Sequence, residues 1–192
     1  MDISHFNWIN PPASWTQNND KIIVKTDLKT DFWRETHYGF IRHNGHIFGC
    51  EVEGDFTFEL CIEGEFSELY DQAGLMIEQG EEVWCKAGIE FADEQALMSS
   101  VLTNGKSDWA TGPFHGDTKK FWMRATVEGD VLRLQYSGDG ITWPLLRLCT
   151  IPLAQKRFVG AMCCTPEREG LQVAFSQFRL SQPLGKDLHD LS

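Results

Sequence analysis

The chain has 192 residues, 42% hydrophobic and 12% aromatic, a length and balance that suit one well-buried core and exclude a disordered chain. Its formal net charge is −11, and no run of Lys and Arg interrupts the acidic balance, which argues against a nucleic-acid partner. No stretch approaches the roughly 18 apolar residues of a membrane helix, so no membrane partner is expected.

From Met1 to Pro12 there is no basic region leading into an apolar run. No export signal is therefore expected, and the chain is expected to be cytoplasmic. The six cysteines (Cys50, Cys61, Cys85, Cys149, Cys163 and Cys164) show no Cys-x-x-Cys spacing, and reduced thiols are expected. Short runs rich in Val, Ile, Phe, Trp and Thr alternate with Gly, Asp and Asn, and no amphipathic helical period extends over several turns. The expected fold is an all-β antiparallel β-sandwich of the jelly-roll kind. One domain spans residues 1–192, with a core over about 6–180 and an irregular C-terminal tail from about 181.

In chain order, His37, His43 and His46 come first, around the turn signal Asn44-Gly45. His43-x-x-His46 could join a metal site, but surface loop histidines are the expectation, and no metal or cofactor is predicted. Next comes Tyr70 to Phe91. Ala73, Leu75 and Ile77 form one face of a strand, and Gln72, Met76 and Glu78 the other. In the following strand Cys85, Ala87, Ile89 and Phe91 alternate with Trp84, Lys86 and Glu90. A three-residue loop, Gly80-Glu81-Glu82, keeps both apolar rows on one side. That register sets Gln72 opposite Glu90, Met76 opposite Lys86 and Glu78 opposite Trp84. The resulting strip offers an aromatic plate beside amide, carboxylate and ammonium groups, which suits a polyhydroxylated ligand. The alternative is an ordinary solvent-facing sheet with cross-strand charge pairs.

Glu78 and Glu90 would lie about six residues apart along the strands, roughly 20 Å at ~3.3 Å per residue. Paired glycosidase carboxylates are separated by roughly 5–10 Å, so these two cannot act together. A hydrolase built on Glu90 would need another carboxylate, and Asp108 is the expected supplier. Ser99 and Ser100 lack a nucleophile-elbow context, and no phosphate-binding glycine loop or dinucleotide fingerprint is present.

Phe121 to Val127 and Val131 to Tyr136 form a hairpin by parity. A two-residue turn at Gly129-Asp130 pairs Val127 with Leu132 and Arg124 with Gln135. A four-residue loop, Ser137 to Gly140, then sets Ile141, Trp143 and Leu145 against Tyr136, Leu134 and Leu132, which makes Trp143 a core residue. Trp122 and Arg124 share the polar face, either extending the binding surface or coating the other sheet. Leu171, Val173 and Phe175, with Phe178 and Leu180 beyond, read as a closing strand.

Several blocks resemble a known family: Thr30-Asp31-Phe32-Trp33-Arg34, Tyr38-Gly39-Phe40, Tyr70 to Met76, Trp84 to Glu90 and Ser107-Asp108-Trp109. They are similar to the signature blocks of a domain-of-unknown-function family that includes the fungal regulation-of-enolase protein. The resemblance runs from about Phe6 to Leu180 and implies a concanavalin A-like lectin/glucanase jelly roll. It supplies no catalytic residues. Cys85 stands where the family pattern more often has an aliphatic residue, and parity turns it to the core.

Three functions follow as expectations. The first is a binding module for a carbohydrate or small polar metabolite, with Gln72, Trp84, Lys86 and Glu90 as floor and Trp33, Arg34, Asp108 and Trp109 entering from loops. The second is a sugar-active enzyme with Glu90 as acid/base and Asp108 as a candidate partner. The third is an interaction protein that regulates a metabolic enzyme.

Overall fold

The structure, a computed structural model, describes residues 1–192. Its strands in chain order are β1 (Asn7–Ile9), β2 (Ser14–Asn18), β3 (Lys21–Lys25), β4 (Phe32–Arg34), β5 (Ile41–His43), β6 (His46–Glu53), β7 (Phe56–Gly64) and β8 (Gln72–Glu78). They continue with β9 (Val83–Ala92), β10 (Gln95–Asn104), β11 (Lys106–Gly112), β12 (Lys120–Glu128), β13 (Val131–Ser137), β14 (Leu145–Thr150), β15 (Lys156–Cys164) and β16 (Gln172–Ser181). There is no helix. The first sheet runs β1-β6-β15-β8-β9-β10-β11 and the second β14-β13-β12-β7-β16-β3-β2, while β4 and β5 form a separate hairpin. Neighbouring strands pair antiparallel throughout.

The sheets pack face to face because the apolar members of each alternating strand point the same way. Phe58, Leu60 and Ile62 of β7, Leu75 and Ile77 of β8, and Phe121 and Met123 of β12 all lie in one continuous buried cluster. Cys85 joins this cluster, as parity expects.

The register of β8 and β9 is the one read from parity. Gln72 faces Glu90, Met76 faces Lys86 and Glu78 faces Trp84. Gly80, at φ +91°, makes the turn, and the amide of Gln79 donates to the Val83 carbonyl at 2.8 Å. In the middle of this pair Gly74 lies opposite Gly88. A methyl group on either would run into the carbonyl of Ala87 or Ala73 on the neighbouring strand, so only glycine fits.

The hairpin of β12 and β13 also matches, with Val127 opposite Leu132 and Arg124 opposite Gln135. The next joint does not. Leu132 pairs with Cys149, Leu134 with Arg147 and Gln135 with Leu145, across a register shift. The loop is longer because the Asp139 carboxylate accepts the amides of Ile141 and Thr142 at 2.8 and 2.7 Å, and Pro144 has no amide for the ladder. These amides, with the Ser137 hydroxyl, hold the Asp139 carboxyl at about 2. Trp143 is therefore buried, but on the outer face of the second sheet and not between the sheets. Its ring lies 3.8 Å from the Arg124 guanidinium. Trp122 and Arg124 coat that sheet: the Trp122 indole donates to Gln177 at 2.9 Å and Arg124 to Glu59 at 2.8 Å.

In β16 the core-facing row changes parity between Phe175 and Phe178. Gln177, at φ +55°, forms the bulge that makes this change.

Candidate functional site

The outer face of the first sheet is covered. The segment leading into β4 and the β4–β5 hairpin lie across it, and Phe32 and Trp33 pack with Met76, Trp84, Val101 and Met162 in a second apolar cluster. Backbone and side-chain bonds hold this cover in place. The Arg34 amide donates to the Ser107 hydroxyl at 2.9 Å, and the Arg34 guanidinium donates to the Gly105 carbonyl at 3.1 Å and to Glu82 at 3.0 Å. Asn44 accepts the Asp31 amide at 3.0 Å and donates to the Lys29 carbonyl at 3.0 Å.

Beside the cover is a cavity of about 200 Å³. Its floor is a polar chain of buried side chains. The Lys86 ammonium donates to Gln72 Oε1 at 2.7 Å and to Asp31 Oδ1 at 3.3 Å. Gln72 Nε2 faces Glu90 Oε1 at 3.5 Å. Glu90 Oε2 accepts the Ser99 hydroxyl at 2.6 Å and the Trp109 indole N–H at 3.1 Å. Burial pushes the Glu90 carboxyl above its ordinary value, although Lys86 and Ser99 oppose that shift. Burial pulls the Lys86 ammonium down, but the opposing charges, Asp31 foremost, outweigh it and leave the group raised.

The walls are aromatic. The rings of Trp33 and Tyr38 meet at 71°, Trp33 and Trp109 at 89°, and Tyr70 and Trp109 at 73°. The Tyr38 and Tyr70 hydroxyls, 3.0 Å apart, close the circuit. That hydrogen bond, with burial, pushes the Tyr70 phenol up to about 12. Arg42 and Glu167 stand in the lining as well, and Arg42 lies 4.8 Å from the centre of the Phe40 ring. No group of three or more His, Cys, Asp or Glu side chains is placed to hold a metal ion.

The profile of a family described as a protein of unknown function (DUF1349) matches residues 8–183. The chain belongs to this family. It is 51% identical over 191 residues to Regulation of enolase protein 1 of Saccharomyces cerevisiae, covering 100% of this chain and 96% of that one. An uncharacterized protein of Emericella nidulans is 25% identical over 158 residues, 77% of this chain and 78% of that one. The crystal structure of a functionally unknown protein from Saccharomyces cerevisiae superposes with a TM-score of 0.94 at 50% identity, over 96% of this chain and 100% of that one. The glycoside-hydrolase protein BlXynB from Bacillus licheniformis, of the GH43 group, superposes with a TM-score of 0.69 at 15% identity, over 92% of this chain and 36% of that one. At that identity the likeness shows the fold, a concanavalin A-like jelly roll.

In this DUF1349 chain, five of the residues expected at a site meet around the cavity: Trp33, Gln72, Lys86, Glu90 and Trp109. Three do not. Trp84 is fully buried beneath Phe32 and His43, so it is no solvent-facing plate. Arg34 is used as a tether of the cover. Asp108 leaves β11 on the side opposite to Trp109 and pairs with Arg147 at 3.0 Å, so it is no partner for Glu90. His43 and His46 are not surface loop residues either. His43 Nε2 lies 3.2 Å from the Glu78 carboxylate, and His46 is buried, accepting the Asp27 amide at 3.1 Å.

Residues absent from the expected site are Asp31, Tyr38, Phe40, Arg42, Tyr70 and Ser99. Four of them stand inside the blocks that carry the family resemblance. Asp71, in the same blocks, stabilises a loop instead. Its buried carboxylate accepts the amides of Ser67 and Glu68 and pairs with Arg168.

Proposed function

We propose that the protein is a binding module whose cavity takes one small polar molecule, a carbohydrate ring or a metabolite of similar size. The observation that carries this reading is a closed aromatic wall above a buried row of hydrogen-bonding groups. The volume of about 200 Å³ lies below the roughly 300–1,000 Å³ of pockets for drug-sized ligands, which limits the occupant to a small one. Lys86, Gln72, Asp31 and Glu90 supply both donors and acceptors, and the rings supply apolar surface. The enzyme reading is weaker, because Asp108 faces away and Asp31, the other floor carboxylate, is engaged by Lys86. Six unpaired thiols favour a reducing compartment such as the cytoplasm.

Calorimetric titration with monosaccharides and small polar metabolites tests the reading. One chemical class should bind the wild type and lose about ten-fold or more in Gln72→Ala, the equivalent of one buried hydrogen bond. Binding that ignores Gln72→Ala would sink it.

A second reading has its own support. Tyr38 and Phe40 at the cavity, Ile41 next to Phe40 in the chain, and Leu69 next to the cavity residue Tyr70 are exposed apolar side chains. The yeast relative is named for regulation of enolase. A regulatory contact with a metabolic enzyme through this rim predicts that purified enolase binds the wild type and not Phe40→Asp. Equal binding by both would remove it.

A further inference from the structure

The cavity wall discriminates more sharply than a site for any small polar molecule requires. A sugar ring has two apolar faces and a belt of hydroxyls around its edge. One or two aromatic plates suit its faces, while the belt needs polar partners on every side. Here four rings stand around the space, each nearly perpendicular to the next (71°, 89° and 73°), and the Tyr38–Tyr70 hydroxyl pair closes the fourth corner. Hydroxyls directed sideways would meet aromatic carbon and lose their hydrogen bonds to water. A compact, weakly hydrated cation has the opposite preference, since the negative faces of several rings attract it from several directions.

The charges agree. The Lys86 charge is engaged by Asp31 at 3.3 Å, and Arg42 is already spread over the Phe40 ring at 4.8 Å. Glu90 forms no ion pair of its own. Its oxygens are held by Ser99, Trp109 and, more loosely, Gln72. Glu167 adds a further carboxylate to the lining. Lys86, the nearest cation, reaches Glu90 only through Gln72, so a positive ligand would give the buried Glu90 carboxylate the direct ion pair that it lacks.

We infer that the aromatic box holds an alkylated ammonium group, its charge among Trp33, Tyr38, Tyr70 and Trp109 and directed toward Glu90. This rests on the cavity being a small-ligand site and names the class of ligand.

The test uses the full chain and follows Trp fluorescence, since two tryptophans form the wall. Choline is compared with its neutral isostere 3,3-dimethylbutan-1-ol, with glucose, galactose and xylose, and with a peptide carrying trimethyllysine. Choline should bind at least about ten-fold more tightly than the isostere. Tyr38→Ala, at an exposed position, should weaken choline about five-fold or more, and Tyr38→Phe should restore it. Glu90→Gln should weaken choline and leave the isostere unchanged. Peptide binding about ten-fold tighter than choline assigns the ammonium to a protein side chain; equal or weaker binding assigns it to a free metabolite. If the isostere binds as well as choline, or a sugar binds and choline does not, the ammonium assignment is overturned while the small-ligand site stands. If nothing in the panel binds, both fall.

Discussion

Lys86 carries its charge where water scarcely reaches, 3% exposed, and its ammonium is held by one carboxylate and one amide oxygen. Removing one member of a buried pair leaves the other charge uncompensated, which costs more than the pair itself contributes. Lys86→Met should therefore lower stability by about 3–5 kcal/mol. Lys86→Met with Asp31→Asn should recover much of that loss, because neither charge then remains. Urea unfolding of the three variants measures this, and a double variant no more stable than Lys86→Met would contradict it. Glu90 gives a prediction in pH. Its carboxyl binds a proton more tightly in the folded chain than at its ordinary value of 4.5. Between 4.5 and the raised value the folded state therefore holds more protons than the unfolded state, and stability falls as pH rises. Glu90→Gln removes that slope. Relative to wild type, the variant should gain stability through this window and hold a constant difference above it. Unfolding midpoints measured from about pH 4 to pH 8 read the effect, and a difference independent of pH would refute it.

At the scale of elements, the β4–β5 hairpin decides what the first sheet can do. Its hold on β10 and β11 runs through Arg34, whose side chain is mostly buried while its partner Glu82 is exposed. Glu82→Ala should change stability by less than ~0.5 kcal/mol, as exposed ion pairs do. Arg34→Ala also gives up the bond to the Gly105 carbonyl and should cost about 1–2 kcal/mol. Hydrogen exchange should rise in residues 32–43 and not in β7 or β12, and uniform protection would count against the tether. This hairpin also marks the limit of what was legible in the sequence. Alternation tells which face of a strand a side chain leaves from, so the pairs Gln72–Glu90, Met76–Lys86 and Glu78–Trp84 followed from two apolar rows and one glycine turn. Alternation is silent on whether that face is then covered. Trp84 reads as an exposed plate until Phe32, more than fifty residues earlier, is laid on it. The turn around Gly105 sets Thr103 opposite Ser107, and this puts Trp109 rather than Asp108 on Glu90's face. Without a register for that turn, the two neighbours could not be told apart. Asp139 misled for a similar reason: side-chain bonds to backbone amides lengthened a loop that strand parity alone would close early.

Across the whole molecule, both sheets are covered on their outer faces, but by different means. The first is overlaid by the β4–β5 hairpin from the first quarter of the chain, and the second by the loop bearing Trp143 and the residues that follow β16. Arg133 donates to the carbonyls of Lys186 and Leu188 at 3.1 and 2.9 Å, and the Trp143 amide donates to the Leu191 carbonyl at 2.9 Å. Arg124 sits beneath, between Glu59 and the Trp143 ring. None of the residues after Leu180 belongs to the core cluster, so this strap is an addition to the sandwich and not part of its interior. Ending the chain after Ser181 should therefore leave a folded protein about 1–3 kcal/mol less stable, the cost of several partly buried hydrogen bonds. Burial around Trp143 would be lost, and its fluorescence should shift to the red. The aromatic cavity lies on the other sheet and shares no residue with the strap. Ligand affinity measured there should stay within about two-fold of wild type, since sites without shared partners behave independently. A truncated chain that unfolds, or one that folds and loses the cavity's affinity, would show that the two covers are coupled through the core.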